Sequence, residues 1–376
     1  MKKITGTWII AAFVGLIVLA LVLASSGGPV SLTHMDRDMI EKSGMPLIMP
    51  NGEVNLPVLA ESMPDFVGIT GWMNTPNEEP LTKEDLEGKV VLVDFWTYSC
   101  INCIRTQPVL KGWWETYKDD GLVIVGVHTP EFAFEKDPNN VRSAVERAGL
   151  EYPIALDPDY KTWRAYNNRF WPAGYFFDRQ GRLRFTHFGE GEYETQEEVI
   201  RALLAEGGEL TDAPTGLDST PDFGSIGTRE TYFGYLRLAN FENADEQVNG
   251  ESASYTHQSP RENYWSLGGD WRVEEEYAEN RSSDARFSMN VEANAMHIVL
   301  GTANGPRRVR VQIDGRNPMD EELTNDTVRV EDGSVYITVE RKDLYRIARF
   351  PDAERSTITL TIEEPGMQFY AATFGE

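Results

Sequence analysis

Cysteine is almost absent, with two in 376 residues. A secreted chain that relied on cross-links would spread its cysteines to close long loops, so a disulfide scaffold is excluded. Histidine is scarce too, five in all, and the one nearest the cysteines, His128, stands alone at a strand end. A structural zinc site needs four ligands, and the second half of one is missing. Positive charge is in deficit: 35 Lys and Arg against 60 Asp and Glu give a formal net charge of −25. That balance argues against holding nucleic acid or an anionic lipid surface by charge attraction. No internal repeat is visible. What is present is ample apolar material, 41% of the chain, at a length that suits two globular units and a tail.

The N-terminus supplies the tail. Lys2 and Lys3 precede an uncharged run from Trp8 to Ala24 (WIIAAFVGLIVLALVLA). Seventeen apolar residues reach the lower end of the length that spans hydrocarbon, and Thr5 to Thr7 can extend the helix. The two lysines keep that end in the cytoplasm and put everything after residue 26 outside. Leu23-Ala24-Ser25 also fits a signal-peptide cleavage site, but the run is long for one, and an uncleaved anchor over 1–26 is expected. Residues 27–62 mix Gly, Pro, Met and charge without periodicity and read as a stalk.

Residues 63–210 alternate buried strands with amphipathic helices. Lys89 to Thr97 (KVVLVDFWT) and Gly121 to Thr129 (GLVIVGVHT) have the continuous apolar β-rich character of central parallel strands. A helix is predicted from Cys103 toward Tyr117, and another carries Val141 to Ala148 with Pro138 in its first turn. A short strand over Ile154 to Leu156 and a short helix over Lys161 to Tyr166 follow. Ala173 to Asp178 and Arg182 to Phe188 form a hairpin, and Thr195 to Ala205 a closing helix. Such βαβ units followed by ββα give an α/β fold with a mixed sheet flanked by helices. Residues 211–221 (TDAPTGLDSTP) are a turn-rich linker. Over 222–376 the helical period fades into short alternating strands, among them Phe287 to Val291, Met296 to Leu300, Val309 to Ile313, Val335 to Val339 and Thr357 to Ile362. This predicts an all-β jelly-roll or sandwich.

The two cysteines form one motif, Cys100-Ile101-Asn102-Cys103, between a buried strand and a helix. A pair so close in sequence closes too small a loop to stabilise a fold, so its purpose is chemical. At a helix start, free N–H groups and the positive end of the dipole favour a thiolate on Cys100, the form that attacks disulfides. Cys103, one turn on, is placed to resolve the mixed disulfide. The pair itself is the redox group, with no other cofactor or metal called for. Asp94 lies inside the apolar strand, where a carboxylate must titrate or pair, with a hydrogen-bonded core acid as the alternative.

The motif in its setting, Val91 to Trp96 followed by C-x-x-C, is similar to the thioredoxin signature. Longer strings narrow this. Lys89 to Asp94, Phe95 to Cys103 (FWTYSCINC), Trp171 to Phe176 (WPAGYF) and Phe188 to Tyr193 (FGEGEY) closely resemble the thioredoxin-like part of the DipZ family, a branch near TlpA and ResA. The likeness includes Met63 to Thr75 and reaches the end of the chain. There Leu344-Tyr345-Arg346 and Phe369 to Gly375 resemble the carbohydrate-binding-module-like domain of that family. The resemblance implies a thioredoxin-like fold and roles for single residues. Asp94 would handle the proton of Cys103, and Pro172 would be the cis-proline facing the substrate. Ser99, Ile101, Asn102 and Trp171 would border the substrate groove, with core packing the alternative for Trp171, and Trp96 would pack under the site. Glu131 would either assist proton transfer or sit solvated in its loop. ResA-like proteins carry a glutamate three residues after the second cysteine; here the position is Thr106. Thr97-x-x-Cys100 also fits peroxiredoxin spacing, but the proline that family places four residues before the Thr is Val93.

These readings imply a membrane-anchored, extracytoplasmic thiol-disulfide oxidoreductase that reduces protein disulfides, for instance in cytochrome c maturation. DipZ proteins carry an electron-conducting membrane domain, whereas a single anchor is expected here, so a separate CcdA-like or DsbD-like donor is implied. The alternative is an envelope glycan-binding protein with a regulatory redox domain, using Tyr232, Tyr235, Tyr264, Trp265 and Trp271 as a sugar platform.

Overall fold

A computed structural model describes residues 55–206, 216, 224 and 226–375. The expected anchor, most of the stalk and, Gly216 apart, the linker lie outside the described residues. Among the described residues no helix is long and apolar enough to cross a membrane.

The first domain is organised by a strand that is buried on both faces. The sheet comprises β1 (Trp72–Met73), β2 (Val90–Trp96), β3 (Leu122–His128), β4 (Ile154–Leu156), β5 (Ala173–Phe177) and β6 (Leu183–Phe188). Their order is β1-β4-β3-β2-β5-β6; β2, β3 and β4 run parallel, and β1, β5 and β6 pair antiparallel. Every residue of β2 is buried. The pleat sends Val90, Leu92 and Trp96 to one core and Val91, Val93 and Phe95 to the other. The first of these cores is covered by α1 (Ile101–Tyr117), α2 (Pro138–Ala148) and α4 (Tyr193–Ala205), while α3 (Lys161–Ala165) lies after β4. This mixed, doubly covered sheet is the expected thioredoxin-like arrangement.

The stalk assigned to 27–62 overran into this domain. Leu56 is buried in the first core, Leu59 and Ala60 exchange backbone bonds of 2.7 and 2.9 Å with Leu183, and Arg184 donates to the Leu56 carbonyl at 2.8 Å. The cause is the free edge of β6, whose N–H and C=O groups need a partner.

Strands β7 (Thr231–Tyr232), β8 (Ser252–Tyr255), β9 (Trp265–Val273), β10 (Ala278–Asn280), β11 (Ala285–Glu292) and β12 (Ala295–Thr302) open the second domain. It continues with β13 (Arg307–Ile313), β14 (Thr327–Arg329), β15 (Val335–Val339), β16 (Asp343–Arg349), β17 (Arg355–Ile362) and β18 (Met367–Phe374). The ladder is antiparallel throughout, and β9 belongs to both of its halves. Residues 265–268 pair with β11 and residues 269–273 with β8 and β10; between them Gly269, at φ 89°, lets the strand turn. The halves close on one core, with Phe287 of one stacked on Phe369 of the other at 5.0 Å. A sandwich results.

Its outer face is not free. Met296, Ile298 and Leu300 point into the sandwich, whereas Val299, Leu344, Tyr370 and Ala371 join the core of the first domain. The two domains therefore share a packed interface beside the C-x-x-C motif.

Candidate active site

Strand β2 delivers the chain into a short buried loop, Thr97 to Ser99, and Cys100 is the N-cap of α1. Its backbone is extended (φ −80°, ψ 118°), and its sulfur accepts the N–H of Cys103 at 3.4 Å. A cap position has unsatisfied amides by construction, so a sulfur placed there faces N–H groups. Cys100 is partly exposed and Cys103 is 2% exposed. Burial, and then the neighbouring Cys100, push the Cys103 thiol well above its ordinary range. That sulfur can become a nucleophile only if something nearby removes its proton.

Asp94 lies on the same side of the sheet as α1. Two residues before Trp96 on β2, it points to the face that α1 covers, and burial lifts its carboxyl to about 7. Its cross-strand neighbours are Gly126 on β3 and Gly174 on β5. A Cβ on Gly126 would come within 2.8 Å of Ile154 and 3.0 Å of Trp96 Nε1, so glycine there lets those side chains close in beside the acid. Asp94 and Cys103 both act on the buried Tyr152, and Asp94 also raises Cys103.

Trp96 is 2% exposed and packs edge-on against His128, ring centroids 5.0 Å apart. His128 is buried, and desolvation pushes it down to about 3, so it is neutral. Among the described residues no group of three His, Cys, Asp or Glu side chains could hold a metal ion.

The Trp171–Pro172 peptide is cis, and the Pro172 carbonyl accepts the Gly189 N–H at 2.9 Å. Trp171 is half-buried; its ring lies 4.3 Å from that of Trp163 and its Nε1 donates to Thr129 O at 3.0 Å. One face of Trp171 thus packs on Trp163 while the residue stays partly open. Asn102 is half-buried beside Cys100. Ser99 and Ile101 do not border a groove. Ile101 is 5% exposed and packs in the core because its position in the first turn faces the sheet. Ser99 is 2% exposed, its hydroxyl turned inward to a carboxylate.

That carboxylate is Glu135, which the sequence reading missed. It is 1% exposed in the turn Ala133–Lys136 and accepts the Ser99 hydroxyl at 2.7 Å. Burial raises it to about 7, against the lowering effect of its hydrogen bonds. Glu131, expected either to assist proton transfer or to sit solvated in its loop, is largely buried. It faces the second domain, 2.8 Å from both Tyr232 Oη and Arg237 Nη1. Arg105 was missed as well. It pairs with Glu190 and donates to the Asn102 side chain at 2.9 Å, pinning the FGEGEY loop to the C-x-x-C turn. Thr106 donates to Asn102 O at 2.9 Å, a structural use of the position where a glutamate was compared.

The sugar platform is not formed. Trp265 and Trp271 are fully buried in the sandwich, and Tyr232 is spent on Glu131.

Residues 59–186 match the AhpC/TSA family and residues 228–375 the family described as Thioredoxin like C-terminal domain. The thiol-disulfide oxidoreductase YkuV of Bacillus subtilis is 31% identical over 149 residues, 39% of this chain and 97% of that relative. The chain belongs to the thioredoxin-like thiol-disulfide oxidoreductases. Protein DipZ of Mycobacterium tuberculosis is 43% identical over 242 residues, 63% of this chain; the chain spans 35% of the length of that relative. A solution structure of a thioredoxin-like protein in the oxidised form aligns at TM-score 0.36 and 30% identity, covering 39% of this chain and 97% of that one. Within this thioredoxin-like oxidoreductase, the peroxiredoxin-type Thr97 hydroxyl lies 3.4 Å from His128 Nε2 and is fully buried.

Proposed function

We propose that the protein reduces disulfides of extracytoplasmic proteins, with Cys100 attacking and Cys103 resolving. The observation that carries this reading is the pairing of a partly exposed N-cap Cys100 with a buried Cys103 on the face of the sheet that also holds Asp94, whose carboxyl burial pushes up to about 7. In the dithiol form the Cys100 thiolate attacks one sulfur of the substrate disulfide and expels the other as thiolate. Asp94 then accepts the proton of Cys103, whose sulfur attacks Cys100 and releases the second substrate thiol. Two electrons pass to the substrate, and Cys100–Cys103 is left as a disulfide. Proton transfer at this step fits a carboxyl poised near the working pH.

Regeneration needs a dithiol donor. The uncharged run over residues 8–24 favours a single-pass anchor with both domains outside the cytoplasmic membrane, which puts a CcdA-like or DsbD-like membrane protein within reach as donor. Disulfides of apocytochrome c are one substrate class that such a location offers. The test is the reduction potential of the pair in the full-length chain. A value on the reducing side of the glutathione range supports a reductant, and a strongly oxidising value makes the protein a disulfide donor instead.

A further inference from the structure

The second domain reaches the redox centre at Tyr98, whose hydroxyl donates to Lys342 O at 3.4 Å, and through the loop of residues 130–136, whose contacts form an unbroken chain. At one end stands Glu135. Its Oε1 accepts the Ser99 hydroxyl at 2.7 Å and the Ser99 N–H at 3.3 Å, and Ser99 is the residue before Cys100. Its Oε2 accepts the N–H groups of Glu131 at 2.6 Å and Phe132 at 2.9 Å. A carboxylate removed from water is costly unless its lone pairs are used, and here four donors use them.

At the other end stands the sandwich. Glu131 Oε1 receives the Tyr232 hydroxyl and Arg237 Nη1, each at 2.8 Å. The Arg237 guanidinium lies 3.6 Å from the Tyr232 ring centroid and 5.2 Å from that of Phe132. Glu276 accepts the Ala133 N–H at 2.8 Å, and Tyr370 packs on Phe132 and Phe134 at 5.3 and 4.8 Å. Residues 131 and 132 are therefore held by Glu135 through their backbone N–H groups and by the second domain through their side chains.

We propose that Glu135 is a positioning residue for Cys100 and that Tyr232 and Arg237 of the second domain hold it in place, making the β-sandwich a working part of the redox centre. This rests on the reading of Cys100 as the attacking thiol. Simple adhesion between the domains would not need this route. The interface has a separate ion pair, Arg147 to Asp343 at 2.7 Å, which bypasses the loop and serves as a control.

The test uses the full-length chain and four variants: Glu135→Gln, Arg237→Ala, the two combined, and Arg147→Ala. The readouts are the rate at which reduced Cys100 exchanges with a small aromatic disulfide and the potential of the pair against glutathione. Glu135→Gln and Arg237→Ala should each slow exchange by about fivefold and displace the potential, and the double variant should be no slower than the worse single one, as coupled residues behave. Arg147→Ala should stay within about twofold of wild type. The proposal is overturned if Arg237→Ala leaves rate and potential unchanged, if the double effect is the product of the singles, or if Arg147→Ala matches Arg237→Ala. Should Glu135→Gln fail to fold, Tyr232→Phe takes its place in the cycle. A wild-type protein that exchanges no disulfide would refute the underlying reading instead.

Discussion

Arg105 and Glu190 lie fork to fork, Nε on Oε2 and Nη2 on Oε1, both at 2.9 Å, with side chains 8% and 16% exposed. The pair joins the first turn of α1 to the Gly189-Glu190-Gly191 loop, whose two glycines have φ of 90° and 97°. Removing the arginine leaves a half-buried carboxylate unpaired. Arg105→Ala should lower unfolding free energy by about 1–3 kcal/mol, read as a shift of the denaturant midpoint. Arg105→Lys should recover less than half of that loss, because a point charge cannot reproduce a bidentate contact.

Asp94 sets a pH dependence with a definite sign. Its carboxyl stands at about 7 in the fold against an ordinary 3.8, so between those values the folded chain binds more protons than the unfolded one. Stability from this group is complete below pH 4 and is lost as pH rises toward 7. Asp94→Asn removes the effect. The variant should therefore be more stable than wild type at pH 8 by about 2–4 kcal/mol, with the gap closing below pH 5. Glu135, raised to about 7, leaves a residual slope in the same window. Disulfide reduction by the variant should fall by about 10- to 100-fold, since Cys103 loses its proton acceptor.

Gly126 is where the strand next to Asp94 must stay bare. Gly126→Ala would press a methyl to within 2.8 Å of Ile154 and 3.1 Å of Tyr152. The expected cost is about 1–3 kcal/mol, measured by thermal or denaturant unfolding.

Trp171 is expected to act on protein substrates and not on small thiols. Trp171→Ala removes the ring packed against Trp163 and the bond to Thr129 O. It should reduce kcat/KM for a protein disulfide by about 3- to 10-fold, as loss of one aromatic contact does. Exchange with a small disulfide should be unaffected.

The sequence was informative wherever a local rule operates. The apolar run Lys89 to Thr97 contains β2, the run Gly121 to Thr129 contains β3, and Pro138 opens α2 in its first turn. The segments between Phe287 and Ile362 that the sequence marked as strands lie in β11, β12, β13, β15 and β17. Spacing also marked Cys100, Cys103 and Asp94, since a thiol pair or an acid inside an apolar strand is conspicuous alone.

Contacts between distant segments were not legible. Glu135 and Ser99 are 36 residues apart, Arg105 and Glu190 are 85, and Glu131 and Arg237 are 106. Each charge taken singly reads as a solvated surface group. Glu131 and Glu135 share one loop without periodicity, so nothing local says which of them turns inward. The segment Met296 to Leu300 was legible as a strand, but not that one face of β12 and of β18 docks on the first domain. Trp265 and Trp271 were open to a sugar-binding reading because aromatic content does not reveal burial.

Which sulfur meets the substrate decides the mechanism. Full-length Cys103→Ser, reduced and mixed with a protein disulfide, should accumulate a mixed disulfide that mass spectrometry places on Cys100, and Cys100→Ser should form no such adduct. An adduct on Cys103 in the Cys100→Ser variant, or turnover that survives loss of Cys100, would contradict it.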